Sequence, residues 1–299
     1  MGRMGPLVDR HFLEKLERLT LHWQKSFNGL VGGHNSSRFP GAGQEFLEHR
    51  NFYQGDDLRA VNWRAYMRFD KLFLKMFQVE PRVPVRLLLD ASASMTAGAG
   101  LEETNKFDYA RRIAAALVYV GLVRLDSILL QPFSSRLGEP FLASGGRHRF
   151  QPAENYLRAL NTGERTNFFE TARQFLGAYP QRGLTIVISD FLDDGDCVRP
   201  LQYLADFGHE LLLVQVWSEE DREPTDDGEV ELVDAESGER ARMSVDGRAR
   251  EAYTRAFDRH ADELRRLAAR NGGRYAGLST RTGIEDAMFG PLAIVEGVY

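Results

Sequence analysis

From Val83 onward the chain alternates short, uniformly apolar runs with longer amphipathic ones, and this alternation restricts the possible folds more than any other feature. Val85–Asp90 (VRLLLD), Ser127–Phe133 (SILLQPF), Leu184–Asp190 (LTIVISD) and Glu210–Trp217 (ELLLVQVW) have the length and content of buried strands. Lys106–Arg124, Arg147–Leu160 and Asn167–Ala178 read as helices between them, and a last helix, Ala249–Ala269, precedes a short strand near Arg274–Leu278. Strands that are apolar throughout are buried on both faces, which requires crossover helices and a parallel sheet. The expected fold class is therefore α/β, a doubly wound, mostly parallel, Rossmann-like sheet.

Two additions interrupt this pattern. Residues 1–80 read as an N-terminal α+β extension, opening with a helix from Leu7 to about Lys25 on which Leu13, Leu16, Leu19 and Trp23 recur at helical spacing. A glycine-rich stretch, GGHNSSRFPGAG over residues 32–43, reads as a loop. The segment Glu45–Glu80 is dense in acidic, basic and aromatic residues. Mutual pairing of Arg50, Asp56, Asp57, Arg59 and Arg64 would make it a structural cap, and a docking surface for a partner is the other reading. Residues 81–299 form the main domain, with a β-hairpin insertion at about 228–247. Its strands Val230–Val233 and Arg242–Val245 flank Glu236-Ser237-Gly238.

Composition removes several function classes. A net charge of −5 offers no general field for nucleic acid. The arginines of Arg248–Arg270 alternate with Glu251, Asp258, Asp262 and Glu263, as on a solvated face. The single cysteine, Cys197, can make no internal disulfide and no thiolate metal cluster, as suits a reducing compartment. The N-terminus carries Asp9, His11 and Glu14 before any signal-like apolar run, and the most apolar stretch, Ile113 to Val123, falls well short of the roughly 20 residues that span a bilayer. A cytoplasmic protein without membrane insertion is expected. The chain contains no GxxxxGK[ST] nucleotide loop.

The chemistry-bearing pattern is Asp90-Ala91-Ser92-Ala93-Ser94 at the end of the first main strand. Open α/β sheets bind ligands at that carboxyl edge, where strand order reverses. Alternate residues of a tight loop there can turn one carboxylate and two hydroxyls toward one point. Thr166, in the loop GERTN, and Asp190, ending the second central strand, add two more hard oxygens. Mg²⁺ or Mn²⁺ accepts such ligands and retains water, so a few protein groups suffice. The expected site is Ser92, Ser94 and Thr166 nearest the metal, with Asp90 and Asp190 partly behind water. Neutral hydroxyls leave the cation electrophilic, and an acidic residue of a protein partner would complete its shell.

The run LLLDASASM, with Thr166 and Asp190, resembles the metal-ion-dependent adhesion site (MIDAS) of von Willebrand factor type A domains. GGHNSS, GAGQEFLEHRNFYQGDDLRAVNWRAYMR and VELVDAESGE are similar to the bacterial domain-of-unknown-function (DUF) family number fifty-eight, whose members carry a type A-like domain. The resemblance runs from about Gly32 to Leu278. It implies a type A-like fold, a non-catalytic, metal-dependent interaction role, and association with a MoxR-type AAA+ ATPase as adaptor or cofactor. One departure stands out: Glu164 and Arg165 precede Thr166 where many type A domains have two small residues. Either side chain would crowd the metal or add charge beside it.

The principal alternative is a Mg-dependent, phosphoesterase-like hydrolase using Asp90. Hydrolases with a nucleophilic aspartate place a second carboxylate two residues on, where this chain has Ser92. Neither GxSxG nor SxxK surrounds Ser92 or Ser94, and DFLDDGD at Asp190–Asp196 does not keep EF-hand spacing. Asp193 and Asp194 are expected to cap the helix that follows.

Overall fold

The computed structural model describes residues 6–17, 37–40, 45–54, 56, 58, 61–79, 84–96, 105–123, 127–193 and 195–293, giving the backbone alone for 37–40, 45–48 and 75–79. The chain divides into two compact units, Gly32–Arg82 and the combined flanks Met1–Val31 and Val83–Tyr299. The opening helix (α1, residues 10–17) starts after Asp9, whose Oδ1 accepts the Phe12 N–H at 2.8 Å. Phe12 and Leu16, one turn apart, are buried with Val8 in the core of the larger unit. This helix thus belongs with residues 83–299, and not with the extension expected over residues 1–80. Its start also moves from Leu7 to residue 10, and its expected continuation to Lys25 lies outside the described residues.

The smaller unit contains β1 (Ser37–Pro40), β2 (Glu45–Asn51), α2 (Trp63–Phe69) and β3 (Phe73–Val79). Its antiparallel sheet has the order β1-β3-β2. Ser37–Pro40 corrects the expectation of a loop across residues 32–43, because pairing with Met76–Val79 supplies a ladder that local composition does not announce. Asn62 caps α2 by accepting from Ala65 N, and Val61 and Leu74 form a small core with Phe52 and Leu72. Of the expected ion-pair cluster, Arg50 meets Asp56 at 2.7 Å, and Asp56 also accepts the Tyr53 N–H at 2.8 Å. Asp57 and Arg59 lie outside the described residues, and Arg64 is exposed.

The larger unit continues through β4 (Pro84–Asp90), α3 (Lys106–Val123), β5 (Ser127–Phe133), β6 (Phe141–Ala143), α4 (Phe150–Ala159), α5 (Phe168–Ala178), β7 (Leu184–Ser189), α6 (Val198–Asp206) and β8 (Glu210–Trp217). A single turn (α7, Glu219–Arg222) leads into the hairpin β9 (Gly228–Val233) and β10 (Arg240–Val245), followed by α8 (Gly247–Arg270), β11 (Arg274–Ser279) and α9 (Ile284–Phe289). The helix expected from Arg147 opens instead with a 3-10 turn, Arg147–Arg149. The six-stranded sheet has the order β11-β8-β7-β4-β5-β6, with every pairing parallel except β5 with β6.

Burial alternates along each central strand and thereby builds two cores. Leu87, Leu89, Ile186, Ile188, Leu212 and Val214 face α1, α3 and α4, whereas Leu88, Val187, Leu211 and Leu213 face α5, α6 and α8. This is the doubly wound architecture the apolar strands require. Strand order reverses between β4 and β7: the chain leaves β4 toward α3 on one face and β7 toward α6 on the other. The connections leaving the carboxyl ends of these two strands therefore diverge, with a crevice between them. No helix among the described residues is long and apolar enough to cross a membrane.

Candidate metal centre at the switch point

Asp90 ends β4 at this crevice and is fully buried. Its Oδ1 accepts the Ser92 N–H at 2.9 Å, closing the tight turn that the DxSxS pattern suggests. Its Oδ2 accepts from Ser189 Oγ on the adjacent strand at 2.6 Å. The carboxyl therefore fastens the loop to the sheet and β4 to β7 at once. Burial, reinforced by the negative charge of Asp190, pushes it up to about 7, against the lowering effect of the Ser189 and Ser92 hydrogen bonds.

The turn delivers two hydroxyls side by side. Ser92 Oγ and Ser94 Oγ are 2.9 Å apart, the first fully buried and the second half-buried. The loop carrying Thr166 is clamped to this turn through the backbone: Ala93 N donates to Glu164 O at 3.1 Å, and Gly163 N donates to Ala91 O at 2.9 Å. Glu164 sits at φ 65°, in the left-handed region that costs a non-glycine residue energy. Its carboxylate accepts from Ser135 Oγ at 2.5 Å and Ser134 Oγ at 3.3 Å, which holds it below the usual carboxylate range. Glu164 is thus tied to the β5 end and does not crowd the Ser92–Ser94 pair.

Thr166 has a different neighbour from the one its loop suggests. Its N–H donates to Glu236 Oε2 and its Oγ1 to Glu236 Oε1, both at 2.9 Å. Glu236 lies in the turn between β9 and β10, within the VELVDAESGE run, to which the sequence assigns no site role. Bidentate capture of a threonine by a residue 70 positions away leaves no local signal, although the acidic turn VDAESGE is visible in the sequence.

Asp190 is buried beside Asp90 but is already paired. Its Oδ2 lies 2.7 Å from Lys106 Nζ, and its Oδ1 accepts the Leu192 N–H at 3.1 Å. Lys106 also lies 3.1 Å from Asp221. Burial alone would discharge this lysine, yet Asp190 and Asp221 outweigh it and raise its pKa, so the ammonium persists. Lys106 was not apparent from the sequence because it opens α3, remote from both aspartates along the chain. The expected caps also move by a few residues: Asp196 accepts from Val198 N and Arg199 N, whereas Asp193 accepts from Gly195 N, ahead of the helix, and Asp194 lies outside the described residues.

Among the described residues, no three His, Cys, Asp or Glu side chains converge as a metal site. A cation at the crevice would rest chiefly on neutral oxygens, and the donor set fits a hard cation on that basis. Ser92 and Ser94 present adjacent hydroxyls, and the buried carboxyl of Asp90 lies behind them on the same turn. Asp190 fits less well as a ligand, because Lys106 already compensates it.

A family model described as "Protein of unknown function DUF58" matches residues 48–263. The uncharacterized protein Rv1480 of Mycobacterium tuberculosis is 28% identical over 271 residues, covering 88% of this chain and 83% of that protein. A Mycobacterium avium protein, MAV169, is 35% identical over 86 residues, covering 29% of this chain and 50% of its own length. Among solved structures, the conserved hypothetical protein BatB of Bacteroides thetaiotaomicron is similar with a TM-score of 0.42 and 17% identity, across 70% of this chain and 97% of that one. The SpRpn10 VWA domain is similar with a TM-score of 0.41 and 10% identity, across 73% and 99%. These overlaps are partial, and the α/β assignment stands on the strand order described above.

Proposed function

The chain belongs to the family described as protein of unknown function DUF58, and from the site at its switch point we propose that it is a non-catalytic, metal-dependent protein-interaction module. Mg²⁺ or Mn²⁺ would be held by the hydroxyls of Ser92, Ser94 and Thr166, with Asp90 and Asp190 behind them. Bound there, the cation supplies a Lewis-acid position open to a carboxylate. The partner is a protein presenting an acidic residue. A MoxR-type AAA+ ATPase is the candidate partner that the family resemblance implies.

One observation carries this reading: two loops clamped together at the strand-order reversal, one of them holding two hydroxyls 2.9 Å apart. Asp90 supports the loop and is poorly placed as a nucleophile, being buried with both carboxyl oxygens engaged. No observation favours the phosphoesterase reading.

The test is thermal melting of wild type and Ser94→Ala in EDTA, Mg²⁺ and Mn²⁺. A ligand at about 100 times its Kd adds about 2.7 kcal/mol, and for a unit of this size each kcal/mol moves Tm by about 2–4 °C. Wild type should melt higher with metal and Ser94→Ala should not. An unchanged wild-type Tm at millimolar metal would refute the metal site.

A further inference from the structure

The two bonds from Thr166 to Glu236 place a carboxylate of this chain on a residue that, in the reading above, holds the cation to which a partner's acidic group binds. The turn that presents it is well ordered internally. Asp234 Oδ1 accepts from Glu236 N at 2.9 Å and Ser237 Oγ at 2.7 Å. Gly238 at φ 71° and the bond from Asp234 N to Glu239 O at 2.8 Å close the turn. Hydrogen bonds from Ser237, with a contribution from Arg165, hold the Asp234 carboxyl below its usual range, so the frame that aims Glu236 stays charged.

The remainder of the hairpin is only lightly anchored. Most residues of β9 and β10 are exposed, including Leu232, Val233 and Met243, and the two strands pair only with each other. A two-stranded hairpin is marginal by itself. The two bonds from Thr166 at its tip are therefore part of what docks it.

We propose that Glu236 is an internal ligand of the site. The hairpin turn occupies the Thr166 edge with a glutamate and must be displaced before a partner's carboxylate can bind. The favoured external ligand then has the same chemistry as the turn: a glutamate displayed on a tight, acidic, glycine-containing loop. This inference rests on the reading of Thr166 as one edge of the site at which a partner's carboxylate binds.

The test uses the full chain and two probes: Mn²⁺ alone, and a cyclised peptide with this chain's own sequence Leu232–Arg242. Wild type, Glu236→Gln and Glu236→Ala are compared by calorimetry for Mn²⁺ and by fluorescence anisotropy for the labelled peptide, with and without EDTA. Hydrogen exchange follows the Thr166 amide. Glu236→Gln is nearly isosteric and guards against a folding defect in the alanine variant. If the turn fills the site about nine-tenths of the time, removing it raises the apparent peptide affinity about tenfold.

The expected result is tighter peptide binding in Mn²⁺ by both variants, which lack the charged ligand, than by wild type, with faster exchange at Thr166 in Glu236→Ala, since a glutamine amide can still accept the Thr166 N–H. Manganese binding with equal peptide affinity in all three proteins would overturn the internal ligand while leaving the metal reading intact. Absence of manganese binding with tighter peptide binding by the variants in EDTA would retain the internal ligand on Thr166 alone and overturn the metal reading. Neither manganese binding nor any difference in peptide binding would overturn both.

Discussion

Lys106 Nζ lies 2.7 Å from Asp190 Oδ2, with the two side chains 3% and 2% exposed. This buried pair joins the start of α3 to the end of β7 directly beside the candidate site, and Asp221 extends it to α7. A lysine thus already supplies positive charge at one of the two aspartates that the sequence pattern assigns to a cation. The crevice is left with one buried, uncompensated carboxyl, Asp90.

Replacing Lys106 should be costly. Lys106→Met leaves the buried Asp190 carboxyl without its counterion, and such truncations cost about 3–5 kcal/mol. Urea unfolding should show a midpoint lowered accordingly, with part of the loss restored by adding Asp190→Asn. A wild-type midpoint for Lys106→Met would show that the pair does not hold these elements together.

Ser189 serves two partners, donating to Asp90 and accepting the Phe191 N–H at 2.9 Å. Phe191 has φ 55°, so this bond helps hold a left-handed residue at the point where the chain leaves β7. Ser189→Ala is expected to destabilise by about 1–3 kcal/mol, the cost of leaving buried polar groups unsatisfied. Denaturant titration of the single variant is sufficient to measure it.

Neighbouring residues His209 and Glu210 give opposite pH dependences. Burial, aided by Arg86, pushes buried His209 down to about 4 from 6.5. The native state then binds fewer protons than the unfolded chain, and stability rises with pH from about 4 to 6.5. Burial pushes Glu210 up to about 7 from 4.5, against the pull of Arg274, so its contribution is fullest below pH 4.5 and declines as pH rises toward 7. The two slopes offset one another in wild type. Glu210→Gln should steepen the gain in stability between pH 4.5 and 6.5, and His209→Asn should reverse its sign; parallel stability–pH curves for all three proteins would contradict the assignment.

Cys197 is 2% exposed, and burial with nearby Asp193 and Asp196 pushes its thiol up to about 12. Since thiolates are the reactive form, native protein should resist a disulfide reagent such as DTNB and react only as it unfolds. Labelling rates that track the urea transition would confirm this, and rapid labelling without denaturant would contradict it.

The apolar strand runs were readable because their period and length depend on nothing outside themselves. Ser127–Phe133 and Glu210–Trp217 emerge with unchanged bounds, and Asn167 is the cap of the helix expected to start there. The DxSxS turn was equally legible, since an aspartate that accepts the N–H two residues on is a local event. Ser37–Pro40 was not legible, because its strand character comes from β3. The allegiance of α1 was hidden too: an apolar stripe shows that a helix packs, but not on which core.

The sequence by itself determined the α/β class, the doubly wound sheet and the hydroxyl-bearing turn at its carboxyl edge, all products of short-range pattern and backbone geometry. Only the tertiary structure decided how the charges at that edge are distributed. Lys106 neutralises Asp190 from 84 residues away, and Glu236 takes Thr166 from 70 residues away. Coulomb attraction and hydrogen bonding depend on distance in space, which the chain establishes only when β4 and β7 are side by side and the hairpin has folded back.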